Sequence, residues 1–152
     1  MENYINAFYN SPYAFTNEKN ILEDKDIGIV SNTASVMTPP RSVSELRCIQ
    51  SCPYTNGAFE LDLRIDGERV LAKEWIWLPN AILRRGEAEN FSVESIAAVV
   101  PNSVTAVEKI TVKNKMNKTL RAPLLLTYRG GPRREDNWGF HAPATERAPR
   151  DA

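Results

Sequence analysis

Histidine is almost missing from this chain of 152 residues, where His141 is the single imidazole. A Ser-His-Asp triad would have to be assembled around that one position, between Phe140 and Ala142 in a Pro- and Arg-containing tail. Cysteine is nearly as scarce. Cys48 and Cys52 are the only two, and in an extended segment they stand about 13 Å apart, at roughly 3.3 Å per residue, too far for a disulfide. They read as free thiols, and a zinc site built on them lacks two further ligands. Neither sign of charge prevails, since 19 Lys plus Arg balance 19 Asp plus Glu. No general field draws in a polyanion, so nucleic acid is not an expected partner. The basic cluster Arg129, Arg133 and Arg134 is followed at once by Glu135 and Asp136, the pattern of a solvated turn.

No stretch approaches the roughly 20 apolar residues of a membrane span, and Met1-Glu2-Asn3-Tyr4 opens no basic-then-apolar leader. The expectation is a cytoplasmic protein with no membrane partner. Gly-x-Ser-x-Gly, Gly-x-Gly-x-x-Gly and phosphate-loop spacings are absent. Their absence removes support for the hydrolase-elbow, dinucleotide and nucleotide-loop classes, and no cofactor is implied.

What is present is a globular composition, 42% hydrophobic and 25% charged, in about one domain's length of chain, enough to bury roughly two-thirds of the unfolded surface. Residues 1–26 are rich in Asn and aromatics and read as an irregular lead-in, with room for a short helix over 17–24. Strand signals follow at 27–30, 34–37 (closed by Pro39-Pro40) and 44–51. Phe59, Leu61, Leu63 and Ile65 alternate with Glu60, Asp62, Arg64 and Asp66, which places Leu61 and Leu63 on a core face and Glu60 and Asp62 in solvent. Asp66-Gly67 then predicts a hairpin over 58–78 whose return strand, apolar on both faces, lies between two layers. Further strands are expected at 91–100, 104–113 and 119–128, the last two as a second hairpin. About seven or eight short strands and no amphipathic helix predict an all-β, antiparallel β-sandwich over 1–131, with a polar, mobile tail over 132–152.

Two carboxylates about 5–10 Å apart can hydrolyse a glycoside, and Glu60 and Asp62 meet that spacing, but the solvent face of a strand is the stronger reading. Glu135 and Asp136, in a loop, have the better claim to touch a ligand. Trp75 and Trp77 fall about 7 Å apart on one strand face, near the spacing of sugar rings; they are either a stacking platform or core between two sheets. Trp138, in a Gly-flanked polar loop, is the third ligand candidate.

One stretch is familiar as a whole: Trp77-Leu78-Pro79, Asn90-Phe91-Ser92-Val93, Val107 to Asn114, and Leu124 to Gly131. It resembles part of the N-terminal super-sandwich domain of glycoside hydrolase family 63 and its trehalase- and glucoamylase-like relatives. The resemblance implies a non-catalytic accessory sandwich that braces a catalytic barrel domain and lends loops to a carbohydrate-binding rim. It carries over no catalytic residue, and is compatible with either a piece of a longer protein or a free-standing relative. Two rival expectations are an autonomous carbohydrate-binding module and a β-sandwich interaction or assembly protein with no sugar ligand. Leu124, Leu125 and Leu126, apolar on both strand faces with no lysine among them, also predict an exposed edge and a symmetric homodimer.

Overall fold

The computed structural model describes residues 10–16, 26–51, 54–129 and 133–134. Among these the chain is all β, a sandwich of two antiparallel sheets. β1 (Phe15–Thr16) opens it, and β2 (Ile27–Val30), β3 (Ser35–Thr38), β4 (Leu46–Ser51) and β5 (Tyr54–Ile65) run up and down as a first meander. Asp66 and Gly67, with φ of 56° and 83°, turn the chain onto β6 (Glu68–Arg69), which pairs with the end of β5. The chain then changes sheet. β7 (Ala72–Leu78), β8 (Ala81–Ala88), β9 (Phe91–Val99) and β10 (Ala106–Asn114) form a second meander, and β11 (Leu124–Arg129) and β12 (Arg133–Arg134) return to pair with β5. The sheet orders are β1-β7-β8-β9-β10 and β11-β5-β4-β3-β2.

Two expected hairpins are therefore corrected. The Asp66-Gly67 turn forms, but its return lasts two residues before Val70 and Leu71 cross between the sheets. The Val43 amide donates to the Val70 carbonyl at 3.1 Å and the Ala72 amide to the Arg41 carbonyl at 2.6 Å, with a Ser42–Leu71 bridge between them. β10 and β11 do not pair with each other: β10 lies on β9 and β11 on β5. Both expectations relied on sequence adjacency, whereas a strand apolar on both faces is better buried in the opposite layer.

β8 is the one strand of four residues or more with no sequence expectation, because Arg84-Arg85-Gly86 interrupts its period. It is nonetheless central to the five-stranded sheet. The lead-in supplies β1, which pairs with β7. The helix expected over 17–24 lies outside the described residues, as does the tail over 132–152 apart from β12. β4 is less regular than its sequence suggested, since Cys48 takes a φ of 40° where the β4–β5 register shifts.

Two apolar clusters fill the space between the sheets. Ile27, Ile29, Val36 and Leu46 meet Ile82, Ala97 and Val99, while Val43, Ile65 and Val70 meet Val93. A third, Ile76, Ala81 and Leu83, lies on the outer face of the five-stranded sheet beneath Ala14. Leu63 is buried and Leu61 packs against the core as expected, but Asp62 is buried too. The outer face of β5 is covered by arginines instead of open to water; the Glu60 side chain lies outside the described residues.

At Gly86 the crossing segment packs tightly against β8. A Cβ there would overlap the Leu71 carbonyl oxygen and sit 2.8 Å from Val43 Cγ2, both on segments pinned by the crossing. Gly86→Ala is expected to cost about 1–3 kcal/mol or more in a urea titration. Gly28→Ala, which meets only Met37 Sδ at 3.6 Å, should change stability by about 0.5–1 kcal/mol at most, with the sign favouring alanine. Equal losses from the two would contradict this packing.

Candidate functional site

The residues singled out in the sequence separate into two groups. Trp138, Glu135 and Asp136 lie outside the described residues. Trp75 is 3% exposed and Trp77 is half-buried against the inter-sheet core. The Trp77 indole donates to the Gly28 carbonyl at 2.8 Å, and its ring lies 5.5 Å from Phe15 at 54°. Trp75 is core, one of the two readings the spacing allowed, and no sugar ring can stack on it from outside, while Trp77 packs against the core with part of its surface open.

Carboxylates are numerous but neutralised by cations. On the outer face of the seven-stranded sheet a chain of ion pairs runs from Asp26 to Arg47 (3.0 Å), Arg47 to Glu45 (2.5 Å), Glu45 to Arg69 (3.2 Å), Arg69 to Asp62 (3.2 Å) and Asp62 to Arg64 (3.4 Å). The hydrogen bond that Arg47 donates to Glu45 raises its guanidinium above the usual value. A depression of about 350 Å³ on the outer face of the five-stranded sheet is lined by Lys73, Glu74, Arg85, Glu87, Glu94 and Lys113, with Ser92 and Thr111 between them. Its acids are paired as well: Glu87 with Lys73 at 2.6 Å, Glu94 and Glu74 with Arg85 at 2.8 and 3.5 Å. The Lys73 hydrogen bond holds the exposed Glu87 carboxyl below its usual value. Carboxylates held ionised by fixed cations are poor general acids. No group of three His, Cys, Asp or Glu is placed to hold a metal among the described residues, and none of their helices is long and apolar enough to cross a membrane.

Sequence reasoning missed Arg84. It is fully buried (0% exposed) at the centre of the sandwich, where its Nη1 donates to Thr38 Oγ1 at 2.7 Å and to the Glu45 carbonyl at 3.0 Å. Its Nε donates to Ser95 Oγ at 3.1 Å and its Nη2 to Glu108 Oε1. Glu108 Oε2 has no hydrogen-bond partner. Burial lowers the Arg84 guanidinium, although it stays charged at neutral pH. Burial also raises the Glu108 carboxyl to about 7, against the opposing pull of Arg84. The only sequence signal was an arginine pair flanked by apolar residues and a glycine.

The strand edges carry the remaining candidate. An open sheet edge recruits other strands unless it is blocked, and three of the edges here are blocked. β1 is two residues long. β10 carries Lys109 and Lys113 and the inward-pointing Glu108. On β2 two of the groups turned away from β3 are already taken, since the Gly28 carbonyl accepts from Trp77 and the Val30 amide donates to the Pro79 carbonyl at 2.7 Å.

Among the described residues, none of these devices is found on β11. It reads Leu-Leu-Leu-Thr-Tyr-Arg, and Leu124, Leu125 and Leu126 are 59%, 55% and 59% exposed, with Tyr128 also open. The Pro123 carbonyl accepts from the Asp66 amide at 3.0 Å. Alternation along an antiparallel pair then directs the backbone of Leu125 and Thr127 toward β5, and that of Leu124 and Leu126 away from it. Leu124 and Leu126 stand opposite Ile65 and Leu63, so their side chains extend the inner apolar face past its cover.

In comparisons with protein-family models, curated proteins and solved structures, none matches this chain. The resemblance to the super-sandwich of glycoside hydrolase family 63 therefore rests on the sequence segments alone.

The Arg84–Glu108 pair makes stability depend on pH. A glutamate in the unfolded chain titrates near 4.5 and Glu108 in the folded protein near 7, so between those values the folded state holds the extra proton. This contribution is full below about pH 4.5 and is lost as pH rises through about 7. Denaturant midpoints should fall from about pH 5 to about pH 8, and Glu108→Gln should remove that part of the fall. Arg84→Met, which leaves Glu108 buried without its cation, should cost about 3–5 kcal/mol at pH 8. An unchanged pH profile in Glu108→Gln would refute the assignment.

Proposed function

We propose that this chain is a non-catalytic β-sandwich module whose role is to join another polypeptide through β11. The single observation that carries this reading is the bare edge: three consecutive leucines, more than half exposed, beside backbone groups of Leu124 and Leu126 directed away from β5. Edge addition of this kind takes affinity from main-chain hydrogen bonds and selectivity from alternate side chains. The pairing of the acids supports a non-catalytic reading, since among the described side chains the acids named on both charged surfaces are held by cations.

The accessory-sandwich reading is one form of the same role. In it the joined polypeptide is a catalytic barrel domain, and any carbohydrate contact falls to Trp138, Glu135 and Asp136. The autonomous carbohydrate-binding alternative is weakened by the loss of Trp75 to the core.

Hydrogen exchange tests the edge directly. In dilute protein the amides of Leu124 and Leu126 should exchange faster than those of Leu125 and Thr127, which bond to β5. Equal protection of all four would mean that the edge is covered and would remove the basis of the proposal. A panel of chromogenic glycosides should show no turnover, and turnover lost in Glu135→Gln or Asp136→Asn would show that the chain is catalytic.

A further inference from the structure

We infer that β11 pairs with β11 of a second copy of this chain, antiparallel, about a two-fold axis at Leu126. This rests on the module reading above and adds the identity of the partner. A two-fold that continues a sheet is perpendicular to it, so each residue keeps its face and pairs with one of the same parity. Centring the axis on Leu126 places that residue opposite its own copy, Leu124 opposite the copy's Tyr128 on the inner face, and Leu125 opposite the copy's Thr127 on the outer face. Every one of these is an apolar or neutral contact. The exposed leucines gain cover, and the outward N–H of each Leu126 donates to the C=O of the copy's Leu126.

Charge supports a copy over a charged partner. The chain carries 19 cations and 19 anions, so two copies meet without net repulsion. Arg129 falls opposite the copy's Pro123, beyond the last leucine. Its nearest like charge is the copy's Arg121, and both are exposed, so added salt favours the pair. The arrangement closes on itself: once β11 is paired, the other long edges remain blocked by Trp77, Pro79, Lys109, Lys113 and Glu108, so a dimer forms and a fibre does not.

Sedimentation of the full chain at micromolar concentration should show a monomer–dimer equilibrium that shifts toward monomer on dilution. Leu126→Lys should leave a monomer whose melting temperature matches that of the wild-type chain diluted until it is monomeric, since the side chain is exposed. The geometry is tested by cross-linking in a Cys48→Ser, Cys52→Ser background. Directly opposed residues of a hydrogen-bonded pair lie about 5.5 Å apart at Cα, within disulfide range. Leu126→Cys should oxidise to a covalent dimer many times faster than Val107→Cys on the exposed side of β10. A dimer that persists in Leu126→Lys, or equal oxidation of the two cysteine variants, would overturn the inference. A monomer with rapidly exchanging Leu124 and Leu126 amides would refute self-pairing and leave the module reading intact. A monomer in which those amides are protected would refute both.

Discussion

The Arg84 guanidinium, buried between the sheets, is the constraint on which the rest of the sandwich depends. Removing such a cation from water is costly, and the cost is offset only when its donors find well-placed acceptors. Its acceptors come from β3 (Thr38), from the residue preceding β4 (Glu45), from β9 (Ser95) and from β10 (Glu108). One side chain on β8 thus sets the position of one sheet over the other. Apolar packing alone is tolerant of small slides between layers, whereas a planar fork of donors is not. The same residue divides the interior into two apolar clusters, one toward β2 and β3 and one toward the crossing at Val70.

That arrangement fixes which edges are open. With β8 held over β3, Trp77 on the neighbouring strand reaches the Gly28 carbonyl and Pro79 reaches the Val30 amide. The edge of β2 is therefore filled by groups from the opposite sheet. Glu108, needed by Arg84, doubles as the inward charge that discourages pairing along β10. β11 lies at the far side of the seven-stranded sheet, and its leucines are more than half exposed there.

The charged residues show how composition can mislead about chemistry. Carboxylates line both outer faces, and from the sequence Glu60 and Asp62 could be weighed as a catalytic pair. Folding interleaves Arg47, Arg64 and Arg69 among the acids of one face, and Lys73 and Arg85 among those of the other. Asp26, Glu45 and Asp62 on the first face, and Glu74, Glu87 and Glu94 on the second, are each held by a cation. The buried Glu108 differs because burial raises its carboxyl to about 7, against the pull of Arg84.

The class of fold was legible in the sequence because a strand announces itself by a period of two, and Leu61-Asp62-Leu63-Arg64-Ile65 has that period almost without error. The turn at Asp66-Gly67 and the ends of β3 and β9 were legible for the same local reason, in residues whose backbone preferences need no distant partner. Partnership between strands was not. Whether β7 returns beside β5 or crosses to the other sheet depends on contacts with residues 41–43, far away in sequence. β8 was hidden because Arg84 and Arg85 look like solvent-facing charges until Thr38, Ser95 and Glu108 are brought around the first of them. For Trp75 and Trp77, spacing left platform and core both open, and only the second sheet chose core for Trp75. The leucines of β11 announced an apolar strand, but its exposure was decided by where the opposite layer ends, a property of the assembled sheets that no local pattern encodes.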